Sequence, residues 1–278
     1  MQNIEQSIKA KLKNISSRTN IPINTLLNTF FLERILVRIS KSRYHKNIIF
    51  KGGLCLTRMI KLDRETKDID LLITELKNNI PNIKDIFEDI SRIKLKDGCT
   101  FSSINVSEMI FDHKKYPRYR VSIIANCGQI KNKLQIDIGF GDIVKPNSFE
   151  IALLQDKEPI FEKSVKMLSY PPEYIFSEKL EAIIFLAEAN SRMKDFYDLY
   201  LLIESDILNK NLLKKAIKDT FTARNTKFSK IPTEKDFINS LEPRWHPFLT
   251  KNNKSDKFPK FEDIIHSINS YLDILDMA

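Results

Sequence analysis

The chain has 278 residues, of which 42% are hydrophobic and 29% are charged, a balance typical of folded globular proteins and not of disordered chains. Its 45 Lys and Arg residues against 36 Asp and Glu give a net charge of +9, which favours polyanionic partners such as nucleic acid. Three cysteines without CxxC spacing and four scattered histidines argue against a disulfide framework or a zinc enzyme.

Two features of the sequence bear on its location. No apolar run approaches the roughly 20 residues that a membrane-spanning helix needs, so we expect no membrane partner. The N-terminal stretch MQNIEQSIKAKLKN lacks the apolar segment of a secretory signal. We therefore expect a cytoplasmic protein.

Helices and short strands alternate in the first part of the chain. Residues 1–45 have a mostly helical pattern, and apolar side chains recur at helical spacing after Pro22. The predicted elements up to residue 140 are a core-facing helix over 22–40, a strand over 47–50, a helix over about 54–61, a strand over 68–73, an amphipathic helix over 80–94, and strands over 119–125 and 133–140.

The pattern becomes helical after Pro171 and Pro172. Helices are predicted over 173–189, 193–203, 212–221 and 261–276, while the polar, proline-bearing segment 222–260 fits no element clearly. Strands followed by helices predict an α+β protein, with a mixed-sheet domain over 1–165 and a helical domain over 166–278.

Asp68 and Asp70 are spaced so that their carboxylates can act together. Residues two apart on a strand face the same side, and two such carboxylates repel each other unless a cation lies between them. Magnesium prefers hard oxygen ligands and commonly joins carboxylates to a substrate phosphate. The pair therefore predicts a magnesium site; the alternative is two solvated aspartates at a strand end.

Asp137 is a single acid on a predicted strand whose other face is apolar. If this strand lies beside the one that carries Asp68 and Asp70, three carboxylates converge. Such a triad can hold two metal ions about 3.5–4 Å apart for an in-line nucleotidyl displacement. The alternative is an edge-strand aspartate that faces water.

Gly52 and Gly53 are adjacent in a chain that has only six glycines, where about 7% is usual. They follow a short apolar strand and precede a predicted helix. This order exposes backbone N–H groups at a helix N-terminus, an arrangement that binds phosphate, although an ordinary tight turn has the same pattern. Walker A and GxGxxG sequences are absent, which disfavours P-loop and Rossmann folds.

The run FKGGLCLTRMIKLDRETKDIDLLI resembles the first motif of the AbiEii-type nucleotidyltransferase toxins, in the DNA-polymerase-β-like nucleotidyltransferase superfamily. That family has KGG, a helix and then Arg-x-Ser/Thr-x-Asp-Ile/Leu-Asp, matched here by Arg64, Thr66, Asp68 and Asp70. Three further segments resemble its motifs in the same order: IDIGFGD, PPEYIFSEKLEAI and SRMKDFYDLYLL, with weaker similarity in FTARNT and RWHPFL. The likeness spans nearly the whole chain but departs at Leu54, where many members have Ser or Thr.

The resemblance implies a set of site residues. The catalytic residues would be Asp68, Asp70 and Asp137, which would also bind the metal, together with Lys179 and Asp195; the nucleotide-binding residues would be Lys51, Gly52, Gly53, Arg64, Thr66, Arg192 and Lys194. From the residues alone, Lys179 can instead extend to solvent, and Asp195 can form a helix-surface salt bridge. Asp198 is expected to be structural.

The resemblance also implies a function on a polymerase-β-like core. It implies a magnesium-dependent toxin that transfers NMP from NTP to an acceptor such as tRNA, with a cognate antitoxin; a protein hydroxyl is an equally open acceptor. Two other functions stay open. One is a catalytically inactive nucleic-acid-binding protein on the same fold, which Leu54 favours, and the other is a magnesium-dependent nuclease or phosphohydrolase, which clustered acids also suit.

Overall fold

The computed structural model describes residues 2–60, 68–109, 117–141, 144–252, 254 and 258–276. The chain divides into two compact units, Met1–Tyr170 and Pro171–Ala278. The predicted boundary between residues 165 and 166 falls inside a strand of the first unit, Ser164–Ser169. That strand belongs to the sheet, and the N–H of Tyr170 just after it donates to the carbonyl of Phe50 at 2.8 Å.

The first unit is a sheet with helices. Its helices are α1 Gln2–Thr19, α2 Ile23–Lys41, α3 Gly52–Met59 and α4 Ile80–Arg92. Its strands are β1 Ile48–Lys51, β2 Ile69–Ile73, β3 Cys99–Met109, β4 Arg118–Cys127, β5 Ile130–Gly139, β6 Asn147–Ala152 and β7 Ser164–Ser169.

The seven strands form one mixed sheet in the order β3-β4-β5-β2-β1-β7-β6. β2 pairs with β5 and β1 pairs with β7 in parallel, and the other neighbours are antiparallel. Because parallel neighbours need a long crossover, α4 and the β3–β4 hairpin lie between β2 and β5 in the chain. A mixed sheet followed by helices confirms the predicted α+β class.

Alternating burial along β4 and β5 shows which face of the sheet meets the core. In β4, Val121 and Ile123 are fully buried, whereas Arg120 and Ser122, the residues on either side of Val121, are half-exposed. α2 packs against β5 and α4 packs against β3, covering the apolar face. Each fully buried aliphatic side chain contributes about 1.5–3 kcal/mol, and a slip of one residue would turn the whole row to water. Core burial therefore fixes which side Asp137 faces.

Three strands, β3, β6 and β7, are absent from the sequence prediction. β3 has the sequence CTFSSINVSEM, whose exposed side chains are mainly Ser, Thr and Asn. Its pairing with β4 shifts register between Ser102 and Asn105, and Ser103 within the shift has φ +53°. A bulge of this kind interrupts the alternation on which strand prediction depends.

The second unit is helical. Its helices are α5 Pro172–Leu186, α6 Met193–Glu204, α7 Lys210–Ala223, α8 Lys235–Lys251 and α9 Phe261–Ile274, with a short 3-10 turn at Ala187–Ala189. α8 falls within segment 222–260, where the sequence predicts no clear element. Pro243 and Pro247 inside α8 explain this, because prolines are signals against a helix. Trp245 of α8 packs against Phe261 of α9, with ring centroids 5.5 Å apart. Across the described ranges, each helix is too short or too polar to cross a membrane.

Candidate active site

Four charged side chains lie in one row across four neighbouring strands. In the register of the sheet, Lys51 of β1 is opposite Asp70 of β2, Asp70 is opposite Asp137 of β5, and Asp137 is opposite Arg120 of β4. Directly paired residues project from the same face, so the charged row reads cation, acid, acid, cation. Asp68 comes immediately before β2 and, two residues from Asp70, belongs to the same side.

Gly52 is required where it stands for two reasons. Its φ is +74°, a conformation that residues with a side chain rarely adopt. A Cβ added to it would lie only 2.0 Å from Oδ2 of Asp70. The backbone where α3 begins is thus pressed directly against the carboxylate of Asp70, which brings the double glycine and the acids together.

α3 begins at Gly52, two residues earlier than the sequence predicted, so Gly53 lies in its first turn. The first N–H groups of a helix have no partner within it and carry partial positive charge. The side chain of Leu54 is 4% exposed and packs into the core. Any phosphate contact at this turn would therefore come from backbone N–H groups, and the family's hydroxyl is missing.

Lys51 is the cation at the β1 end of the charged row. Its side chain is 6% exposed, and its ammonium nitrogen lies 4.3 Å from the centre of the Tyr170 ring. An ammonium over an aromatic face is attracted by the electron-rich ring. The ring thus helps to hold a positive charge next to Asp70, where phosphate binding would need one.

Arg120 is the functional candidate that the sequence analysis missed. Its Nε donates to Oδ1 of Asp137 at 2.7 Å and its Nη2 donates to Oδ2 at 2.8 Å. This bidentate pairing raises the pKa of the Arg120 guanidinium above its ordinary value, with Asp68 and Asp70 adding to the shift. The available signal was the alternation Arg118-Tyr119-Arg120, which puts both arginines on the polar face of a strand.

The three predicted acids have the oxygen ligands that magnesium prefers, but one of them, Asp137, is already paired with an arginine. Asp68 and Asp70 supply hard carboxylate oxygens on one side of the sheet, as magnesium prefers. Both oxygens of Asp137 are held by Arg120. Among the residues that the structure describes, no three Asp, Glu, His or Cys side chains are arranged to hold an ion. Asp137 would therefore join a metal centre in competition with the guanidinium of Arg120 for its negative charge.

Lys179, Asp195 and Asp198 form a buried charge cluster within the second unit. The ammonium of Lys179 lies 2.6 Å from Oδ1 of Asp195 and 2.8 Å from Oδ2 of Asp198. Arg192 donates from Nε to the other oxygen of Asp195 at 2.7 Å, and both aspartates are fully buried. Lys194 is exposed. The helix-surface alternative for Asp195 is excluded by this burial.

The environment of Asp195 keeps it ionised. Burial alone would raise the pKa of its carboxyl, but the positive charges of Lys179 and Arg192 and the hydrogen bond from Lys179 outweigh burial. The net result is a lowered pKa. The cluster joins α5 to α6 through buried ions, each of which depends on the others for compensation.

The two segments of weaker family likeness support the same helices. In FTARNT, Arg224 and Thr226 both donate to the buried carboxylate of Glu181, at 2.5 and 2.7 Å. In RWHPFL, Arg244 donates to the carbonyls of Glu188 and Asn190 at 3.2 and 2.9 Å. Arg224 and Thr226 therefore bind α5 through Glu181, and Arg244 holds the backbone that leads into α6. Arg64 and Thr66, predicted to bind nucleotide, lie outside the described residues.

The fold and the charged row agree with the class of protein that the sequence motifs resemble. A mixed sheet that presents acids from two parallel strands beside a double-glycine helix start, followed by a helical unit, is the framework that the resemblance to nucleotidyltransferases implies. The sequence matches the profile of the family described as nucleotidyl transferase AbiEii toxin, type IV TA system, over residues 34–267. The chain belongs to this family of nucleotidyltransferase toxins, and the resemblance seen in its motifs is confirmed.

Two solved structures with TM-scores above 0.5 show the same fold at low sequence identity. JHP933 from Helicobacter pylori is 15% identical, with 92% of this chain and 93% of that chain covered and a TM-score of 0.52. A candidate nucleotidyltransferase from H. pylori is 14% identical, with 92% and 96% covered and a TM-score of 0.52. MenT4, a nucleotidyltransferase toxin from Mycobacterium tuberculosis, is 13% identical, with 89% and 93% covered and a TM-score of 0.49. The sequence has no significant match among curated proteins.

Proposed function

We propose that this nucleotidyltransferase is magnesium-dependent and transfers NMP from an NTP to the 3′ end of a tRNA, as a cytoplasmic toxin neutralised by a cognate antitoxin. The observation that carries the proposal is the pairing of Asp70 with Asp137 on adjacent strands, against the start of α3 at Gly52. The net charge of +9 supports a polyanionic acceptor.

The first-unit residues have distinct roles in this proposal. Asp68 and Asp70 would hold magnesium together with the nucleotide phosphates, and Asp137 would join them after leaving Arg120. The ion, when bound, neutralises phosphate charge and lowers the pKa of the acceptor hydroxyl. Backbone N–H groups at the start of α3 would donate to the phosphate oxygens, since this is where a helix favours negative charge.

The transfer itself is a displacement at the α-phosphorus. A bond forms between the acceptor oxygen and that phosphorus, the bond to the β-phosphate bridging oxygen breaks, and pyrophosphate leaves with the bonding electrons. The acceptor hydroxyl gives up its proton to solvent. Arg120 and Lys51, as cations at the two ends of the charged row, would stabilise the negative charge that builds up on the transferring group. By family likeness Lys179 would also bind phosphate.

Two observations favour a second candidate, a catalytically inactive nucleic-acid-binding protein. Arg120 already neutralises Asp137, and Leu54 is buried where a phosphate-binding hydroxyl stands in many relatives. In such a protein the row would be a structural salt bridge. Pyrophosphate release decides between the two, because only a transferase produces it.

The test is incubation of the purified protein with each α-labelled NTP and magnesium, offering total tRNA and total protein as separate acceptors. We expect label in tRNA and an equal amount of pyrophosphate. Label in protein would show that the acceptor is a protein and not tRNA. Shortened RNA without pyrophosphate would show that the protein is a nuclease. If no NTP gives either labelled product or cleaved RNA, the result would favour the inactive binding protein.

A further inference from the structure

One face of the β3–β4–β5 part of the sheet is polar and open over its whole length. The side chains of these strands that pack beneath α2 and α4 are apolar and buried, whereas those on the opposite face are all half-exposed or exposed. On this open face β3 presents mainly Ser, Thr and Asn, β4 presents Arg118, Arg120 and Ser122, and β5 presents Lys131 and Lys133. The charged row lies at one end of it.

The charge of the open face is one-sided. Arg118, Arg120, Lys131 and Lys133 are four cations on it, and Asp137 is its one acid among the residues that the structure describes. Asp137 is already neutralised by the bidentate pair with Arg120. The open face is therefore cationic, and Lys131 and Lys133 are exposed.

The two lysines lie on β5, the same strand as Asp137 of the charged row. At a rise of about 3.3 Å per residue, Lys133 is about 13 Å and Lys131 about 20 Å from Asp137 along the strand. Strand periodicity puts all three on the same face. About 20 Å is long enough to contact several successive phosphates of one nucleic-acid strand.

We propose that the acceptor RNA lies along this open face, with its sugar–phosphate backbone on Lys131 and Lys133 and its reacting end at Asp137. The placement of the reacting end of the RNA rests on the proposed function, because that function puts the reacting hydroxyl at the charged row. Lysines bind phosphates without reading sequence, and hydroxyl and amide side chains suit sugar and phosphate oxygens. A protein partner is disfavoured because, apart from Ile124 and Met109, the side chains that the described residues of these strands pair on this face are polar or charged.

The test compares Lys131→Ala/Lys133→Ala with a matched control, Lys94→Ala/Lys96→Ala. The control removes two exposed lysines, also spaced by two, from the segment after α4. Fluorescence anisotropy with labelled total tRNA, in a series of salt concentrations, gives the affinity and its salt dependence. We expect the open-face variant to bind about tenfold more weakly, with a log–log salt slope reduced by about 1.4–1.8, and the control to stay near wild type.

A second variant tests the middle of the open face without removing a lysine. Ser122→Asp introduces a negative charge between the lysines and the charged row, and it too should weaken tRNA binding. Thermal unfolding of each variant shows whether the fold is retained. Equal affinity and salt slope for wild type, Ser122→Asp and both lysine double variants would overturn the proposal.

Transfer assays separate this proposal from the proposed function. For an active enzyme we expect the open-face variant to raise the KM for tRNA about tenfold while kcat at saturating tRNA stays unchanged. If the wild type transfers nothing to tRNA but the open-face variant still loses tRNA affinity, the binding face stands and the proposed function fails. If transfer to tRNA occurs with the same KM in the open-face and control variants, the function stands and the binding face fails.

Discussion

Arg120 donates two hydrogen bonds to Asp137, at 2.7 and 2.8 Å, so that both oxygens of the third acid are engaged by a guanidinium. Arginine and a divalent ion compete for the same carboxylate oxygens. Asp137 is one strand away from Asp70, and without a cation the two carboxylates would repel each other. Arg120 thus acts as a counter-ion to Asp137 and would compete with any metal ion that binds there.

The first prediction follows from that competition. Arg120→Gln should bind magnesium or manganese several-fold more tightly than wild type, because a competing cation has been removed from Asp137. Arg120→Lys keeps the charge without the bidentate geometry and should lie between the two. Isothermal titration with Mn²⁺ measures the affinities. An affinity for Mn²⁺ that is unchanged or lower in Arg120→Gln would show that Arg120 does not compete with the ion.

The second prediction concerns Gly52. Gly52→Ala should lower the free energy of unfolding by about 2–5 kcal/mol, since the new methyl group collides with Asp70 and φ is positive. In an Asp70→Gly background the collision is gone, and only about 1–2 kcal/mol should remain. Gly139→Ala is the control, because its Cβ would meet its first neighbour at 3.8 Å. Chemical denaturation of the four variants measures these differences; the same loss in both backgrounds would show that the approach to Asp70 does not matter.

Much of the first unit follows from the sequence, for a physical reason. β4 and β5 alternate apolar and polar side chains, which identifies both strands and the side that Asp137 faces. The neighbours of β4 and β5 in the sheet cannot be predicted from the sequence, because strand order and the parallel pairing of β2 with β5 depend on contacts between residues far apart in the chain. β3 was missed for its polar residues and its bulge. Arg120 was missed because its importance lies in a partner on another strand.

The third prediction separates structure from chemistry at Lys179. Lys179→Met leaves the fully buried Asp195 and Asp198 without their shared ammonium and should cost about 3–5 kcal/mol of unfolding free energy. Adding Asp198→Asn removes one of the uncompensated charges and should restore part of that stability. Lys210→Met, at an exposed position of α7, should stay within about 0.5 kcal/mol of wild type. A Lys179→Met protein as stable as wild type would leave phosphate binding as the lysine's role.

The fourth prediction is a pH dependence caused by Asp195. Its pKa in the folded protein is lowered relative to the unfolded chain, where a value of about 3.9 is ordinary. Its contribution to stability is therefore complete above about pH 4 and is lost as the pH falls toward the folded-state pKa, by up to about 1.4 kcal/mol per pH unit. Urea unfolding between pH 3 and 6 should show a steeper acid loss for wild type than for Asp195→Asn. Parallel curves would contradict a lowered pKa.

The second unit was predictable in its helices and much less so in its charges. The patterns for α5, α6, α7 and α9 are clear, and α8 was hidden by its two prolines. A lysine and two aspartates on neighbouring helices are equally consistent with a solvated surface. The sequence therefore does not reveal that Asp195 and Asp198 are both fully buried and both paired with the ammonium of Lys179.

The most direct test of the charged row measures incorporation of α-labelled NTP into tRNA by wild type, Asp70→Asn and Asp85→Asn at the same magnesium concentration. Asp85 is an exposed acid of α4, so its variant removes the same charge away from the site. We expect Asp70→Asn to lose about 100-fold or more in rate, equivalent to about 2.7 kcal/mol of transition-state stabilisation, while Asp85→Asn matches wild type. Equal incorporation by Asp70→Asn and wild type would contradict a catalytic role for these acids.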